Sequence, residues 1–484
     1  MSLSIHPIDL AVLAAYLAAV IAVGLWVGRR GGRGLSEYLL GGRDLPWWAL
    51  LGSIVATETS TATFLSVPGV AYAQGGDLRF LQLAIGYIVG RCLVTLILLP
   101  QYFRGELFTA YEVLHKRFGG TTKQAASLVF LVTRNLGDGL RLFLTAIALR
   151  EVVGLPLSLC VIVIGAATIV YTVAGGMKSV VWNDCLQLVV YMAGGVAALL
   201  ILLERLPGGW SGLTAFAGEH GKFRLFDFQF DLAEKYTFWA GLVGGAFLTM
   251  GTHGADQLMV QRYLSARSQR DAGRALVLSG LVVLVQFALF LLIGVGLAAF
   301  YAAFPPDQPF AQNDRVFASF VVNQLPVGLV GLALAAVFAA AMSTLSSSLN
   351  SSASAVVNDF LRSGAREDAD SPRLVWVSRG LTLVFGAVQI AIGIAAARFA
   401  TSVVEDALAV AGFSAGILLG VFALGVLTSR VGEKAALAGM LAGLAAVTFV
   451  KFATATAWPW FAMVGALTTF GAGLLASLVL PRHR

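Results

Sequence analysis

Charged side chains are scarce in this sequence: Asp, Glu, Lys and Arg make up 12% of its 484 residues. Ordinary soluble domains carry about 25% charged and about 45–50% apolar residues, whereas here 58% are hydrophobic and the mean hydropathy is +0.82. This composition excludes a soluble enzyme, because no folded interior could remove so much apolar area from water. The excess must face lipid, and the sequence therefore predicts an all-α polytopic membrane protein.

Cysteine is also rare, since the chain contains Cys92, Cys160 and Cys185 and no others. All three lie inside apolar runs, which is typical of buried small residues and excludes a disulfide framework or a metal-ligand spacing. The sequence also lacks a Walker-type G-x-x-x-x-G-K motif, a His/Asp metal cluster and a repeated filter sequence. These absences disfavour a pump, a membrane enzyme and a channel. Secondary transport is favoured, with a channel or a non-transporting sensor on the same fold as weaker alternatives.

Long apolar runs are abundant, and thirteen of them have the length that a membrane-spanning helix needs. The first run lacks a basic n-region and an A-x-A cleavage site, so we interpret it as a span and not as a signal peptide. The approximate predicted spans are 7–29, 46–73, 79–101, 124–152, 156–175, 180–204, 236–256, 275–303, 325–355, 373–398, 402–428, 433–453 and 457–480.

The basic residues between the runs predict the orientation. With the N-terminus outside, the cytoplasmic segments, among them 29–45, 102–123, 257–274 and 356–379, hold 21 Lys and Arg residues, and the opposite side holds nine. We therefore attribute the net charge of +7 to topology and expect no nucleic-acid partner. The expected protein is a functional monomer that crosses the cell membrane many times, with its C-terminus in the cytoplasm.

Two predicted spans are unusually rich in small polar side chains. In the second span, residues 56–63 read ATETSTAT, a run that should weaken a continuous helix at mid-membrane. In the ninth span, residues 340–352 read AAMSTLSSSLNSS. Hydroxyls and freed carbonyls are hard oxygen ligands of the type that binds a small alkali cation. The alternative is that these hydroxyls satisfy backbone carbonyls or hold helices together.

A second cation site is suggested by an acidic residue near the start of the sixth span. At helical spacing Ser343, Ser346 and Ser347 share one face of the ninth span, and Thr344 lies beside them. Asp184 could supply the negative charge for a cation on that face. The alternative is that Asp184 caps the N-terminus of its own helix, where the dipole favours a negative charge, and binds no ion.

Several separated motifs make the chain resemble the sodium:solute symporter family, which includes sodium/glucose, proline, pantothenate, sialic acid, monocarboxylate and iodide carriers. These motifs are Leu45-Pro46-Trp47-Trp48, Tyr171 with Gly175-Gly176, Trp182-Asn183-Asp184 with Gln187, Gln261-Arg262 and the serine-rich ninth span. The resemblance covers essentially the whole chain.

This resemblance implies that residues 1–484 form a single transporter domain of the leucine-transporter type. The expected parts are a leading helix (7–29), two inverted five-helix repeats (46–204 and 236–428) and two trailing helices (433–480). The first helix of each repeat should be broken at the substrate site.

The resemblance also implies sodium ions as coupling ions. The family's common sodium site falls on the carbonyls of Ala56, Thr59 and Ala340 and the hydroxyls of Ser343 and Thr344. A further sodium site, found only in some members, matches Asp184, Ser346 and Ser347. Because the chain retains all three of these residues, we expect two sodium ions.

By position in the fold, the resemblance implies a solute pocket on three spans, lined by Glu58, Ser60, Thr63, Phe80, Gln82, Thr249, Thr252 and His253. Sugar carriers place further amide and basic groups on later helices, where 275–303 offers only Gln286 of these types and the stretch from Ala407 to Phe413 is wholly apolar. A sugar needs a partner for each buried hydroxyl, because each unmet group costs about 1–3 kcal/mol. We therefore expect an organic anion or an amino-acid-like solute, with a sugar as the alternative.

The charged side chains at membrane depth have several open roles. Glu58 could bind a substrate ammonium, strengthen the nearby sodium site or pair with an arginine. Arg134, Asp138 and Arg141 lie on one helical face, so Arg141 either binds a solute carboxylate or pairs internally. His253 is either a hydrogen-bonded packing residue or a proton relay.

Overall fold

The computed structural model describes residues 6–30, 34–306, 308, 310, 312–313, 315–361, 372–399 and 403–480. Within these residues the chain forms helices and loops, with one isolated backbone bridge between Leu45 and Ala266. The all-α prediction is confirmed. Several of the basic residues counted for the orientation lie outside the described part, namely those at positions 33, 362, 366, 482 and 484 and the side chains of 30 and 398. The side chains of 407–410, in the apolar stretch from Ala407 to Phe413, also lie outside it.

The helices of the first half contain the predicted break at residues 56–63 and the carboxylates of Glu58, Asp138 and Asp184. A π-helical turn, Val94–Leu98, joins two of them, α5 and α6. They are α1 (Pro7–Arg30), α2 (Leu35–Leu40), α3 (Trp47–Glu58), α4 (Thr61–Tyr72), α5 (Leu81–Leu93), α6 (Leu99–Tyr102), α7 (Glu112–Arg117), α8 (Gly120–Val153), α9 (Leu157–Arg205) and α10 (Gly209–Glu219).

The helices of the second half begin with a π-helical turn, Ala240–Gly244, which continues directly into α11. A second such turn, Val357–Leu361, follows α15. These helices are α11 (Gly245–Gly254), α12 (Gln257–Leu264), α13 (Gln269–Ala303), α14 (Arg315–Gln324), α15 (Leu329–Val356), α16 (Pro372–Phe399), α17 (Val403–Leu427), α18 (Glu433–Ala453) and α19 (Phe461–Ala476).

Each of the thirteen predicted spans falls on one of these helices or helix pairs. In the described part of the chain, eight helices are long and apolar enough to cross a membrane, and α3 with α4 adds a ninth if the bent pair counts as one span. Helix α9, with 49 residues, covers two predicted spans and changes direction at Gly176, whose φ of 56° and ψ of −150° are not helical. The count of thirteen crossings stays a prediction.

The predicted break in the second span lies between α3 and α4. Thr59 and Ser60 have extended backbone angles, and the two helices are bent by 61° relative to each other. The span 236–256, which lies wholly in the described part of the chain, has no such extended break within its helical part. It departs from a regular α-helix at the π-helical turn Ala240–Gly244, which precedes α11, and the chain turns again at Ala255.

Helix α15 lies at the centre of the packed structure, and nearly all of its residues are buried. It packs against α9, α8 and α1, while α13 packs against α3 and α4. Small residues allow these close approaches: a Cβ on Gly294 of α13 would lie 2.1 Å from the carbonyl oxygen of Pro68 in α4. Large apolar side chains such as Leu441 and Phe449 are 68% and 64% exposed on the outer helix faces, as lipid contact requires.

Candidate functional site

The candidate site begins at the break between α3 and α4, where backbone oxygens are released from helical hydrogen bonding. The Thr59 amide and hydroxyl both donate to the Val55 carbonyl, at 3.0 and 2.9 Å. Beyond that bond the chain is extended, so no complete helical turn follows whose amides could donate to the carbonyls of residues 56–59. Ala56 and Thr59 are 0% and 1% exposed, which leaves these oxygens within the protein interior.

The serine-rich part of α15 meets this break directly. The Thr344 hydroxyl donates to the Thr57 carbonyl at 3.0 Å, and the Ser343 and Thr57 hydroxyl oxygens lie 3.4 Å apart. All five residues of the expected first sodium site are buried: Ala56, Thr59, Ala340, Ser343 and Thr344. The structure therefore brings the two polar runs together, with Thr57 as the contact residue that the sequence analysis did not select.

Asp184 on α9 lies beside the same oxygens. Its carboxylate accepts a 2.6 Å hydrogen bond from the Ser343 hydroxyl and a further bond from Ser53. The Thr57 hydroxyl lies 3.3 Å from it. Asp184 and Ser343 are both 0% exposed, so one α15 hydroxyl links the carboxylate to the broken helix.

The charge that balances Asp184 in this structure is Arg262 of α12. Its Nη2 lies 3.1 Å from the Asp184 carboxylate and also donates to the hydroxyls of Thr57 and Ser347. Its Nε donates to Ser53 at 2.8 Å. The guanidinium, 1% exposed, thus occupies the oxygen cluster where the resemblance implied a second sodium ion.

Two further predictions about this cluster are changed by the geometry. Asp184 does not cap its helix, because it lies inside α9, eight residues after the non-helical Gly176. The Ser346 hydroxyl donates to the Ser343 carbonyl at 3.1 Å, within its own helix, whereas Ser347 contacts both Thr57 and Arg262. Of the two serines matched to the second site, Ser347 is the one that faces the cluster.

Glu58 forms an ion pair with Arg91 of α5 at the end of α3. The Arg91 side chain is 0% exposed, and its Nη1 also donates to Ser279 at 2.8 Å. His253 of α11 lies 3.6 Å from the Glu58 carboxylate and accepts or donates a 3.1 Å hydrogen bond with Thr252. Among the open roles of Glu58, pairing with an arginine is the one that this structure contains.

Two arginines of α8, Arg134 and Arg141, are paired as well. Arg141 lies 2.6 Å from Asp138, and Arg134 forms an ion pair with Asp256 at the start of α12. Asp256 in turn caps α12 by accepting from the Leu258 amide at 2.9 Å. Beside these groups is a cavity of about 20 Å³, room for about one water molecule. Its lining residues are Thr133, Arg134, Gly137, Arg141, Thr252, Asp256, Ala411 and Ser414.

Two of the residues expected around the solute, Gln82 and Phe80, contact the segment that precedes α11. Gln82 donates to the carbonyls of Arg79 and Tyr236, at 3.1 and 2.9 Å, and accepts from the Asp227 amide at 3.1 Å. Phe80 packs edge-on against Tyr236 and Phe287. These two side chains therefore help to hold the segment that precedes α11, and their place in a solute pocket stays a prediction.

The remaining members of that set lie near the break or on α11. Ser60 accepts the first hydrogen bond of α4 from the Phe64 amide, at 3.1 Å, and Thr63 is half-buried one turn later. The Thr252 hydroxyl also donates to the Leu248 carbonyl at 3.0 Å, and Thr249 packs against Gly90 of α5. Glu58, Thr252 and His253 are thus the expected solute residues that the structure joins by direct contacts.

Comparison with known proteins identifies the chain. The sequence model of the sodium:solute symporter family matches residues 38–443, well over half of the chain. The chain belongs to this family. It is 31% identical to the human sodium/iodide cotransporter over 427 residues, which cover 85% of this chain and 64% of that protein. It is 30% identical to mouse sodium-coupled monocarboxylate transporter 2, covering 79% of this chain and 62% of that protein. The chain thus spans somewhat under two thirds of each relative's length.

Solved structures agree with this membership of the sodium:solute symporter family. The chain superimposes on a substrate-bound, outward-open Na⁺-coupled sialic acid symporter with a TM-score of 0.90, 27% identity and 99% coverage of both chains. A nucleobase-cation-symport-1 family transporter shares the fold with a TM-score of 0.59 at 15% identity, covering 91% of this chain and 93% of that one. The predicted leucine-transporter-type fold is confirmed, while the boundaries of the two repeats stay predictions.

Two residues that the sequence analysis did not select position the break of this family member. Gln286 of α13 donates to the Thr59 hydroxyl at 2.7 Å, and the Tyr191 hydroxyl of α9 lies 3.2 Å from the same oxygen. Tyr191 also donates to Gln286 at 3.1 Å, which closes a triangle of buried side chains. The sequence signal for Gln286 is that it is the one amide side chain in the largely apolar span 275–303.

The Glu58–Arg91 pair leads to a test of the role of Glu58. We expect Glu58→Gln to destabilise the purified protein by about 3–5 kcal/mol, because it leaves the buried Arg91 guanidinium without its counter-charge. The measurement is the thermal unfolding of the detergent-solubilised variant. Glu58→Gln combined with Arg91→Gln should recover much of the lost stability. A stable Glu58→Gln protein that fails to bind solute would instead assign the carboxylate to a substrate ammonium.

The contacts of Gln82 predict a structural effect. We expect Gln82→Ala to lower the free energy of unfolding by about 1–3 kcal/mol, because the carbonyl of Tyr236 and the amide of Asp227 lose a buried partner. Thermal unfolding measures the loss, and Thr63→Ala, half-buried on α4, serves as the comparison. An unchanged melting temperature with a raised half-saturating solute concentration would instead support the predicted role of Gln82 in the solute pocket.

Proposed function

We propose that this protein is a sodium-coupled symporter that moves a small organic anion across the membrane by alternating access. The observation that carries the proposal is the contact between the Ser343–Thr344 part of α15 and the broken helix at Thr57. Family membership supports it, as do the sodium-coupled activities in the names of the relatives. The proposed coupling ions are sodium, and the proposed partners are the solute and the bilayer.

The first proposed sodium site uses the carbonyls of Ala56, Thr59 and Ala340 with the hydroxyls of Ser343 and Thr344. Carbonyl and hydroxyl oxygens replace the hydration shell of a small cation, and an extended break lets carbonyls from α3 turn toward α15. Because the ligands come from two helices, a sodium ion there would hold α3 and α15 together. Support comes from the 3.0 Å hydrogen bond between Thr344 and the Thr57 carbonyl.

The second proposed sodium site lies at Asp184, Ser343 and Ser347, with Ser346 matched by family position only. A cation there needs the oxygens that the Arg262 guanidinium contacts in this structure. Two positive groups cannot share that cluster at low cost, so sodium binding and the Asp184–Arg262 ion pair should exclude each other. The sialic acid symporter that resembles this chain was described with a novel Na⁺ site, which supports a second ion.

This competition links sodium binding to movement. Arg262 lies on α12, whose Gln261 donates to the Leu39 carbonyl of α2 at 2.7 Å and whose Gln257 accepts from the Ala110 amide at 2.7 Å. Releasing Arg262 from Asp184 therefore removes one attachment of α12, and with it one attachment of the segments at Leu39 and Ala110 that α12 holds. A sodium ion at Asp184 would favour a conformation in which α12 and these segments move away from α9.

The proposed solute is an anion. Glu58 is balanced by Arg91, so it offers no uncompensated negative charge to a substrate ammonium. Arg141 pairs with a neighbour only three residues away, and it could exchange Asp138 for a solute carboxylate in bidentate geometry. The printed names of relatives include iodide and monocarboxylate, both anions. A sugar remains the second candidate, because it is a known substrate class of the family that the chain resembles.

We further propose inward transport with the N-terminus outside and the C-terminus in the cytoplasm, in a functional monomer. Each sodium ion that moves inward adds about 2.3 kcal/mol of electrical driving force per 100 mV to its concentration gradient. Two sodium ions would therefore permit accumulation of a monovalent anion with net inward positive charge. Orientation can be measured by protease access or tag accessibility at each terminus.

The deciding experiment is a solute screen on the full chain. The purified protein is heated with and without sodium in the presence of monocarboxylates, sialic acid, iodide, amino acids and sugars, and stabilising compounds are then tested for uptake into proteoliposomes. The proposal expects stabilisation by an anion that depends on sodium, and uptake that requires an inward sodium gradient. Replacing sodium by potassium is the matched control.

The outcomes separate the alternatives. Uptake of an anion without any sodium gradient would contradict sodium coupling, and sodium-dependent uptake of a sugar alone would contradict the anion assignment. Stabilisation by sodium with no transported solute would favour the sensor alternative.

A further inference from the structure

The segment between α10 and α11 exposes several large apolar side chains. Residues 222–232, here called the aromatic segment, have no regular secondary structure. Their apolar side chains point away from the protein: Phe226 is 47% exposed, Phe228 63% and Phe230 70%. Phe223, Leu225 and Leu232 are also exposed, at 37%, 40% and 45%. Exposed apolar patches of this kind mark a contact with a partner or with lipid.

Two charged side chains of the aromatic segment, Lys222 and Asp227, point toward the protein, whereas Arg224, Gln229 and Asp231 are exposed. The Lys222 ammonium is buried and donates to the carbonyls of Ala71, Tyr72 and Ala73, at 2.9, 3.2 and 2.7 Å, where α4 ends. Asp227 is buried and bonded to Arg79 at 2.8 Å. The segment is therefore held firmly, and the outward direction of its phenylalanines is a consequence of these attachments.

The exposed rings continue the surfaces of membrane-spanning helices. Phe228 packs on Phe238, with ring centroids 5.0 Å apart, and Phe238 lies two residues before the π-helical turn that leads into α11. The ring centroids of Phe230 and Trp460 lie 6.2 Å apart, and the Leu232 carbonyl accepts a hydrogen bond from the Ala457 amide at 2.7 Å. Trp460 belongs to a candidate span, Trp458–Ala476, so the segment lies level with its first turn.

We propose that the aromatic segment lies in the lipid–water interface of the bilayer, with Phe226, Phe228 and Phe230 among the lipid glycerol groups and upper acyl chains. The partner is lipid, because the rings adjoin the start of a candidate span at Trp460, and large apolar side chains such as Phe449 and Phe452 are exposed by 64% and 76% near the end of α18. Trp side chains, such as Trp239, which is 40% exposed and donates to the Phe228 carbonyl, concentrate at this depth in membrane proteins. Through Lys222 the segment also fixes the end of α4, the outer half of the broken helix.

The test uses the full chain in nanodiscs made with photoactivatable phosphatidylcholine. One lipid carries the diazirine near the glycerol group, and the other carries it at the end of the acyl chain. After irradiation, labelled peptides are located by mass spectrometry. We expect the glycerol-proximal probe to label the aromatic segment and the chain-end probe to label the middle of α18, where Leu441 is 68% exposed.

The variant arm replaces Phe228 and Phe230 by serine, and Phe228→Trp is the matched conservative control. We expect the double variant to lose the label from the segment while α18 stays labelled, and the control to keep both. If the double variant does not fold, the labelling pattern of the unaltered protein decides alone.

Two results would overturn the proposal. Absence of lipid label on the segment, together with equal hydroxyl-radical labelling in nanodiscs and in detergent, would mean that the rings face water. Cross-links between segments of two copies in nanodiscs that hold two chains, without lipid label, would make this surface a contact between copies.

Discussion

Sodium-driven uptake should disappear in Ser343→Ala and in Thr344→Ala. Each substitution removes one hydroxyl from a proposed site with five oxygen ligands, and the lost oxygen is one that already contacts the broken helix. Ser343→Ala should have the larger effect, because its hydroxyl also donates to Asp184 at 2.6 Å. We expect the half-saturating sodium concentration to rise at least about tenfold, which corresponds to about 1.4 kcal/mol.

The measurements are uptake into proteoliposomes and sodium-dependent thermal stabilisation of the purified variants. Thr344→Ser keeps the hydroxyl and should retain sodium binding. Ser351→Ala is the matched control, because that buried hydroxyl donates to a carbonyl of its own helix, Ser348, at 3.1 Å. If Ser343→Ala and Thr344→Ala keep the sodium affinity of the unaltered protein, the proposed site is wrong.

The helical architecture and the meeting of the two polar runs could be predicted from the sequence for a physical reason. Apolar runs must be helical in lipid, since no water is available to hydrogen-bond the backbone. Interruptions of such a helix are costly unless other parts of the protein or a bound ion satisfy the released backbone groups. The run around Glu58 therefore marked the break, and the serine run of α15 marked its partner. The structure joins them through Thr57 and Thr344.

The pairing of charges could not be predicted in the same way. Arg262 is separated from Asp184 by 78 residues, and no local periodicity connects a short helix after the seventh span with the sixth. Arg91 and Glu58 lie on consecutive predicted spans, but which of three arginines would reach the carboxylate depends on how the helices pack. The contacts of Gln82 could not be predicted either, because the segment that it contacts is irregular and carries no pattern. Long-range side-chain contacts of this kind follow from tertiary packing alone.

The second large effect concerns the number of sodium ions per turnover. We expect a ratio of two sodium ions per solute, which falls to one in Asp184→Asn because the neutral amide removes the charge that attracts the second ion. The ratio is measured from the reversal potential in proteoliposomes at controlled sodium and solute gradients. Ser347→Ala should weaken the second ion more than Ser346→Ala, since the Ser347 hydroxyl lies in the cluster and the Ser346 hydroxyl bonds to its own helix.

Arg262 gives the complementary change. Arg262→Met removes the guanidinium that competes for the Asp184 oxygens, so sodium should bind about tenfold more tightly in the absence of solute, equivalent to about 1.4 kcal/mol. Turnover should fall, because α12 loses its attachment to Asp184. Without sodium, the unpaired carboxylate should cost about 3–5 kcal/mol of stability, and added sodium should restore it. Arg262→Lys, which keeps the positive charge, is the control.

Combining the two substitutions distinguishes competition between sodium and Arg262 from a general loss of stability. In Asp184→Asn with Arg262→Met, both buried charges are gone, so stability should recover while the ratio stays at one and the sodium affinity of the first site is kept. A protein whose pair was only structural would show no gain of sodium affinity in Arg262→Met. A ratio of one in the unaltered protein, unchanged by Asp184→Asn, would reject the second site and leave the Asp184–Arg262 pair as an attachment of α12 to the core.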